Sequence, residues 1–445
     1  MSTIIIFLIG LVIMLVMMIK TKIGPFMSML FGALIIGIGC GVAPSDTISA
    51  ITGGFGNTCK SIGLVIIFGT ILGTYLEKSN SCQRIATTLL KLTGEDKAGV
   101  ALAATGYFVS IPVFSDVALI MLSPIIKAVS KKTGRVVCVF AVLTASALLC
   151  TNAYVAPTPA PLAVAATLNL DIGKSIIYGL IVAAISIVVV YFYCMLFLDK
   201  KPADWFTEIE AADDKATEVK EVDEKDMPSF IQAMAPILIP VILIVASSVC
   251  GMILPEDSQV RMIAKFLGDK NIALVIGIIV AIFLLKKFLP AGETFSAIND
   301  ALKTAGPVIF ITAAGGALAS IVEVTGAGQI FADILTASPL PVILIPFLIT
   351  ALSKFAQGSA SVASLLAASL TMPLITAGLI SPLAAFISIS AGSHCGSHVN
   401  NSFFWVFAEF FGYDAKTTLK TLCVAQNFVL SGVGLICAVV INFIG

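Results

Sequence analysis

Residues 348–369 read LITALSKFAQGSASVASLLAAS and residues 387–405 read ISISAGSHCGSHVNNSFFW, and these two runs decide what kind of chain this is. They set Lys354, Gln357, Ser359 and Ser361, then Ser393, His394, Ser397, His398, Asn400, Asn401 and Ser402, among residues apolar enough to lie in lipid. Unsatisfied polar groups in hydrocarbon are expensive, so polar, non-helical backbone persists at membrane depth only where it faces protein or a watery cavity. The stretch reads as half of a binding site, with a hairpin tip at 354–361 and a helix break at 393–402.

The rest of the composition agrees. With 58% hydrophobic residues, 12% charged residues and a mean hydropathy of +1.05 over 445 residues, a soluble globule is excluded and an all-α polytopic membrane protein is expected. Lys and Arg balance Asp and Glu at 26 each, which gives no footprint for a nucleic-acid partner. The ten cysteines form no CxxC pair and sit mostly in apolar runs as small buried hydrophobes, so neither a metal site nor a cofactor is expected.

Outward from the opening stretch, the chain divides into 1–198, a charged linker at 199–229 and 230–445. Thr3 to Ile19 is an apolar run with no basic residue before it, which predicts a retained first span. A second span covers Ile23 to Val42, an interfacial piece holds GGFGNT, and a third span covers Ser61 to Leu76. Within 98–130, two apolar pieces too short to cross ~30 Å of hydrocarbon flank IPVFSD, which predicts a re-entrant hairpin tipped by Ser115 and Asp116. Asp116 is the only carboxylate between Asp96 and Asp171. Prolines 157, 159 and 161 each remove an amide donor, so the next span must break within 151–161, near Asn152 and Thr158. The linker, with eleven acidic and five basic residues from Asp199 to Ser229, cannot build a core.

The second half echoes the first. Lys60-Ser61-Ile62-Gly63 matches Lys303-Thr304-Ala305-Gly306 at an offset of 243, and the IPVFSD tip shifted by about 245 falls on Gln357 to Ser361. An odd number of crossings separates the copies, which makes them inverted repeats with a site near mid-membrane. Basic residues test this topology: with the N-terminus outside, twenty fall in cytoplasmic segments and five outside, Lys354 lying in the membrane.

GGFGNTCKSIGLV, IPVFSD, APTPAP, FAQGSASVA and GSHVNNSFFW together resemble the gluconate permease family of proton symporters, over roughly 48–180 and 301–445. The resemblance implies an inner-membrane carrier for small hydroxylated monocarboxylates such as gluconate, related sugar acids, glycerate or D-serine. It also implies membership of the wider ion transporter superfamily, with a homodimeric scaffold and transport domains that move like an elevator. Asn152, Thr158, Ser115, Lys354 and Asn401 depart from the residues usual at these places in that family.

The candidate substrate-binding residues are Ser115, Asp116, Asn152, Thr158, Gln357, Ser359, Ser361, His398, Asn400, Asn401 and Ser402. Free amides at the hairpin tips and breaks would hold a carboxylate, and Ser, Thr and Asn side chains its hydroxyls. Asp116 and His398 are the candidate coupling groups, because low dielectric disfavours an ionised carboxylate and imidazole titrates near neutrality. Plainer roles stand beside these: Asp116 as a helix cap, Lys354 snorkelling to the interface, and His394 and His398 as packing residues. The partners expected are the substrate, a proton or a sodium ion, and membrane lipid. A sodium-coupled carrier, an anion channel and a substrate-sensing receptor remain open, while an intramembrane hydrolase lacks a GxSxG or HExxH motif.

Overall fold

The computed structural model describes residues 2–20, 23–202, 205–206, 223–290, 292–327, 330, 340–399 and 401–444. Among these residues the chain is helical, with no β-strand. Six described helical segments are long and apolar enough to cross a membrane, and a seventh qualifies if one bent helix counts as a single span. The protein is therefore a multi-pass membrane protein, as its composition predicts.

Helices α1 (Ser2–Lys20) and α2 (Gly24–Gly39) pack together and lead into α3 (Pro44–Lys78). The sequence reads GGFGNT as an interfacial piece between two spans, and the structure corrects this. The six residues lie inside one helix of 35 residues, bent by 44° between Ser61 and Gly63. Glycine inside a helix ordinarily costs about 1 kcal/mol, but here it lets α13 (Glu293–Val324) cross backbone against backbone. A Cβ on Gly54 would stand 2.5 Å from the Gly316 carbonyl, and one on Gly316 would collide with the Thr58 hydroxyl. At the other end of the pair, the Lys78 ammonium bridges Glu293 and Asp300 at 2.8 Å each, and the Tyr75 hydroxyl donates to the Thr294 carbonyl.

After the amphipathic α4 (Ser81–Thr93) comes the expected hairpin, α5 (Ala98–Val109) and α6 (Ser115–Thr133), turning at 110–114. Helix α7 (Val137–Tyr154) stops at the proline-rich run, and α8 (Pro159–Thr167) resumes beyond it, so the break occupies 155–158. Helix α9 (Ile172–Tyr193) continues as a π-helical turn to Leu198. The second half opens with α10 (Phe230–Ile253), the short amphipathic α11 (Gln259–Leu267) and α12 (Lys270–Leu285), followed by α13. A second hairpin, α14 (Leu344–Gln357) and α15 (Ala360–Thr376), precedes α16 (Pro382–Gly392), a break at 393–401 and α17 (Ser402–Phe411). The last span starts at α18 (Ala415–Thr418), runs through π-helical stretches Leu419–Cys423 and Ala425–Leu430, and ends in α19 (Ser431–Ile444). Helices that start at 98, 115, 137, 159 and 172 thus have counterparts at 344, 360, 382, 402 and 415, at offsets of 243 to 246 residues.

Burial separates the elements. Helix α7 is enclosed on nearly every face, whereas α9, α10 and α12 leave most of theirs uncovered by the rest of the chain. Of the linker, 203–204 and 207–222 lie outside the described residues, but its described ends are fastened. Lys420 donates to the Trp205 carbonyl and lies 4.0 Å from the centre of the Trp205 ring. Arg84 donates to the carbonyls of Glu224 and Pro228 at 2.5 and 2.6 Å, and Lys91 pairs with Glu224 at 2.6 Å.

Candidate functional site: a cavity where four helices begin

The two hairpin tips and the two breaks meet around one cavity of about 350 Å³. Its wall is made by the first turns of four helices: Phe114, Ser115 and Asp116 of α6, Ala160 and Pro161 of α8, Ser359, Ala360 and Ser361 of α15, and Asn401, Ser402 and Phe403 of α17. A helix N-terminus presents free amides and roughly half a positive charge, so four of them make a place for an anion without a dedicated cation. The sequence builds the four starts differently. Ser359 caps α15 by accepting from the Val362 amide at 3.3 Å, and Asn401 caps α17 by accepting from the Phe403 amide at 3.0 Å. Helix α8 has Pro159 and Pro161 in its first turn, which leaves Ala160 as the amide donor between them.

Asp116 is the one carboxylate among the described lining residues. The N-cap of α6 is Phe114, with no side-chain cap, and the Asp116 carboxylate makes no hydrogen bond or ion pair with the described residues. A capping role for Asp116 is therefore not seen. Lys354, which also lines the cavity, is 2% exposed and does not snorkel. Its ammonium lies 2.5 Å from the Ser393 carbonyl and 2.5 Å from the Ser397 hydroxyl, with the His394 carbonyl at 3.5 Å. It thus neutralises the C-terminal end of α16, where unpaired carbonyls gather negative charge.

The second break is held open by π-helical Gln426 and Asn427. The Asn427 side chain accepts from the Ser397 amide at 2.8 Å and donates to the Ser397 carbonyl at 2.9 Å, while Gln426 Oε1 accepts from the Ser397 hydroxyl at 2.6 Å. The break lies directly on α14: a Cβ on Gly396, whose φ is +83°, would stand 2.7 Å from the Ala351 carbonyl.

Of the residues expected from sequence, the cavity gathers Ser115, Asp116, Asn152, Ser359, Ser361, Asn401 and Ser402. Thr158 does not line it; its hydroxyl is turned back onto the carbonyls of Asn152 and Val155, where it closes the end of α7. His398 also stands apart, with Nε2 at 2.9 Å from the Phe355 carbonyl and its ring 4.6 Å from the Phe355 ring. Its neighbour His394 lines the cavity instead. Asn400 lies outside the described residues, and Gln357 is described only as the last residue of α14. Sequence reasoning missed Gln426 in the cavity wall, whose only signal was a Gln-Asn pair inside an apolar span.

A larger cavity of about 580 Å³ lies between α3, α13, α8 and α15. It is lined by the C-terminal ends of α8, α13 and α15 together with Glu323, so its polarity is the reverse of what an anion needs.

Broken helices, two helix–turn–helix hairpins and a polar cavity enclosed by helices make up a multi-pass membrane fold that recurs in solved structures. The chain superimposes on the YdaH transporter of Alcanivorax borkumensis with a TM-score of 0.66, at 16% identity, covering 94% of this chain and 98% of that one. It superimposes on MtrF of Neisseria gonorrhoeae with a TM-score of 0.65, at 13% identity, covering 97% and 96%. The GntP family permease model matches residues 2–444, and the chain belongs to that family. It is 32% identical to an uncharacterized permease of Haemophilus influenzae, over 98% of this chain and 91% of that protein. It is 29% identical to the high-affinity gluconate transporter of Escherichia coli, over 98% of each, and 28% identical to that organism's Gnt-II system L-idonate transporter, over 97% of each.

Proposed function

We propose that this protein is a secondary active transporter that imports a small hydroxylated monocarboxylate across the bacterial inner membrane, with a proton as the coupled cation. The observation that carries this reading is the convergence of four helix N-termini on a cavity whose only described carboxylate is Asp116. The volume, about 350 Å³, suits a small ligand. The amide of Asn152 and the hydroxyls of Ser361 and Ser402 offer donors to substrate hydroxyls. The relatives named for gluconate and L-idonate support a sugar acid as the substrate class.

Charge balance gives the coupling its logic. An ionised Asp116 and a protonated Lys354 leave the cavity side chains neutral, so a monoanion adds an unbalanced charge in a low-dielectric site. A proton taken up by Asp116 removes it, and one proton then travels with one monoanion without net charge movement. His398, off the cavity wall, is not needed for this step.

The same reading includes two inverted repeats, 1–198 and 230–445, joined by a cytoplasmic linker at 199–229, and an elevator-type movement in a homodimer. The recurrence of helix order at a shift of 243 to 246 residues supports the repeats. The polar contacts support the topology: Lys78 with Glu293, Arg84 with Pro228, Arg135 with Asp199 and Lys420 with Trp205 join segments assigned to the cytoplasm, whereas Ser248 with Asp171 joins segments assigned outside. The homodimer and the elevator movement come from the family resemblance.

Uptake by reconstituted vesicles across a panel of sugar acids, with imposed proton or sodium gradients, tests the function. Accumulation of a sugar acid driven by an acid exterior is expected. Accumulation driven only by sodium would replace the proton, failure of substrate counterflow would replace the carrier with a channel, and no flux of any sugar acid would overturn the reading.

A further inference from the structure

His394 is 2% exposed, lines the cavity, and its Nε2 has no partner among the described residues. Asn152, on the opposite half of the chain, presents a buried Nδ2 that is likewise unpartnered and lines the same cavity. Native structures rarely leave such atoms without a hydrogen bond, and an exception at a cavity wall points to a group that arrives from outside. The His394 side chain is held in place. The His394 ring rests on the Tyr154 ring with centroids 5.6 Å apart, and its carbonyl faces the Lys354 ammonium at 3.5 Å. Asn152 sits in the last turn of α7, just before the first break.

The four helix starts are suited to a carboxylate, and Lys354 is already engaged with carbonyls and a hydroxyl. The two orphaned nitrogens therefore serve another part of the ligand, and neutral imidazole and carboxamide groups match neutral hydroxyls. We infer that His394 and Asn152 are specificity residues that bind the hydroxyl-bearing chain of the substrate, so that the site selects a polyhydroxylated acid over its deoxy analogues. This rests on the carboxylate-carrier reading above and assigns the parts of its site. An analogue that lacks the hydroxyl leaves a buried nitrogen unpaired, which lowers affinity roughly tenfold to a hundredfold.

The test uses the full chain in vesicles, with labelled gluconate as the transported probe and the singly deoxygenated gluconates as competitors. Wild type should discriminate against at least one deoxy analogue by tenfold or more. His394→Phe, which keeps a ring on Tyr154, should shrink that discrimination to within about threefold by weakening gluconate, and His394→Gln, which keeps a donor and acceptor, should restore part of it. Asn152→Leu should collapse discrimination at a different hydroxyl. Thermal stabilisation of the detergent-solubilised protein by gluconate and by each analogue gives the same comparison without transport. Unchanged discrimination in His394→Phe, or folded His394 variants that weaken every analogue and gluconate alike, would overturn the assignment and leave a bridging water as the partner of Nε2. Wild type that neither moves nor is stabilised by any sugar acid would instead take down the carrier reading, and the assignment with it.

Discussion

The ammonium of Lys354 and the carbonyl oxygen of Ser393 lie 2.5 Å apart, so a buried cation at the end of the second hairpin's first helix closes the end of α16. Replacing Lys354 with Met leaves that carbonyl and the Ser397 hydroxyl without their charged donor. Loss of a charged hydrogen bond in a buried place should cost on the order of 3 kcal/mol. A lowered melting temperature of the purified protein checks this, and Lys354→Arg should fall between, because a planar fork cannot reproduce three convergent bonds of an ammonium.

Ser359→Leu removes the cap of α15 and places an apolar branch in the cavity wall. The cap alone is worth about 1 kcal/mol, which a protein of this size tolerates, so the variant should insert in the membrane yet lose uptake. Ser359→Thr keeps the capping oxygen and should keep uptake. Normal kinetics for the leucine variant would detach Ser359 from the site.

Asp116→Asn should abolish accumulation against a gradient while substrate-for-substrate exchange survives, since exchange needs no net proton movement. Concentrative uptake still driven by a pH gradient would release Asp116 from coupling. A pH profile between about 5 and 8 reads the cavity cleanly with respect to the cap of α18, Asp414. Burial opposes ionisation there, but the Thr417 hydroxyl and amide, Lys420 and Lys416 outweigh it and hold its carboxyl below the ordinary aspartate range. A depressed carboxyl contributes stability that is present above its ordinary value and lost only as pH falls through the depressed one, well outside that window.

Gly396→Ala should impair both folding and transport. The added methyl meets the Ala351 carbonyl at 2.7 Å on a backbone with φ of +83°, a conformation that costs an L-residue about 1 kcal/mol or more. Lower yield of folded protein, with residual uptake reduced severalfold, is the outcome to look for. Wild-type yield and rate would mean that α14 and the break can move apart freely.

Single cysteines placed at Ala212 and Asp257 should react with a membrane-impermeant reagent from opposite sides, the first from the cytoplasm and the second from outside. The twenty-to-five distribution of basic residues motivates this. Labelling of both from one side would break the crossing parity on which the inverted repeats depend.

The helix ends around the tips and breaks were legible because prolines and glycines have local, sequence-autonomous effects: Pro157 prevents α7 from continuing, and Pro159 and Pro161 suit the first turn of α8, whatever packs around them. Helix α3 was not legible, because three glycines in GGFGNT weaken a helix locally, whereas the long-range crossing of α13 on Gly54 that uses one of them leaves no mark in the local sequence. The two histidines show the same limit within the site. His394 and His398 are four residues apart, which on a helix would share a face, but the segment between them is not helical, and one reaches the cavity while the other lies on Phe355. Gln426 and Asn427 escaped notice because their register depends on π-helical turns that no periodicity announces.

The crossing of Gly54 on Gly316 at one end of α3 and α13, and the bridge from Lys78 to Glu293 and Asp300 at the other, pin two long rods at both ends. Held at two places, the pair resists splaying, and the 44° bend of α3 falls between the two contacts. Gly54→Ala or Lys78→Met should therefore loosen the pair, which a lower melting temperature of the purified protein would show.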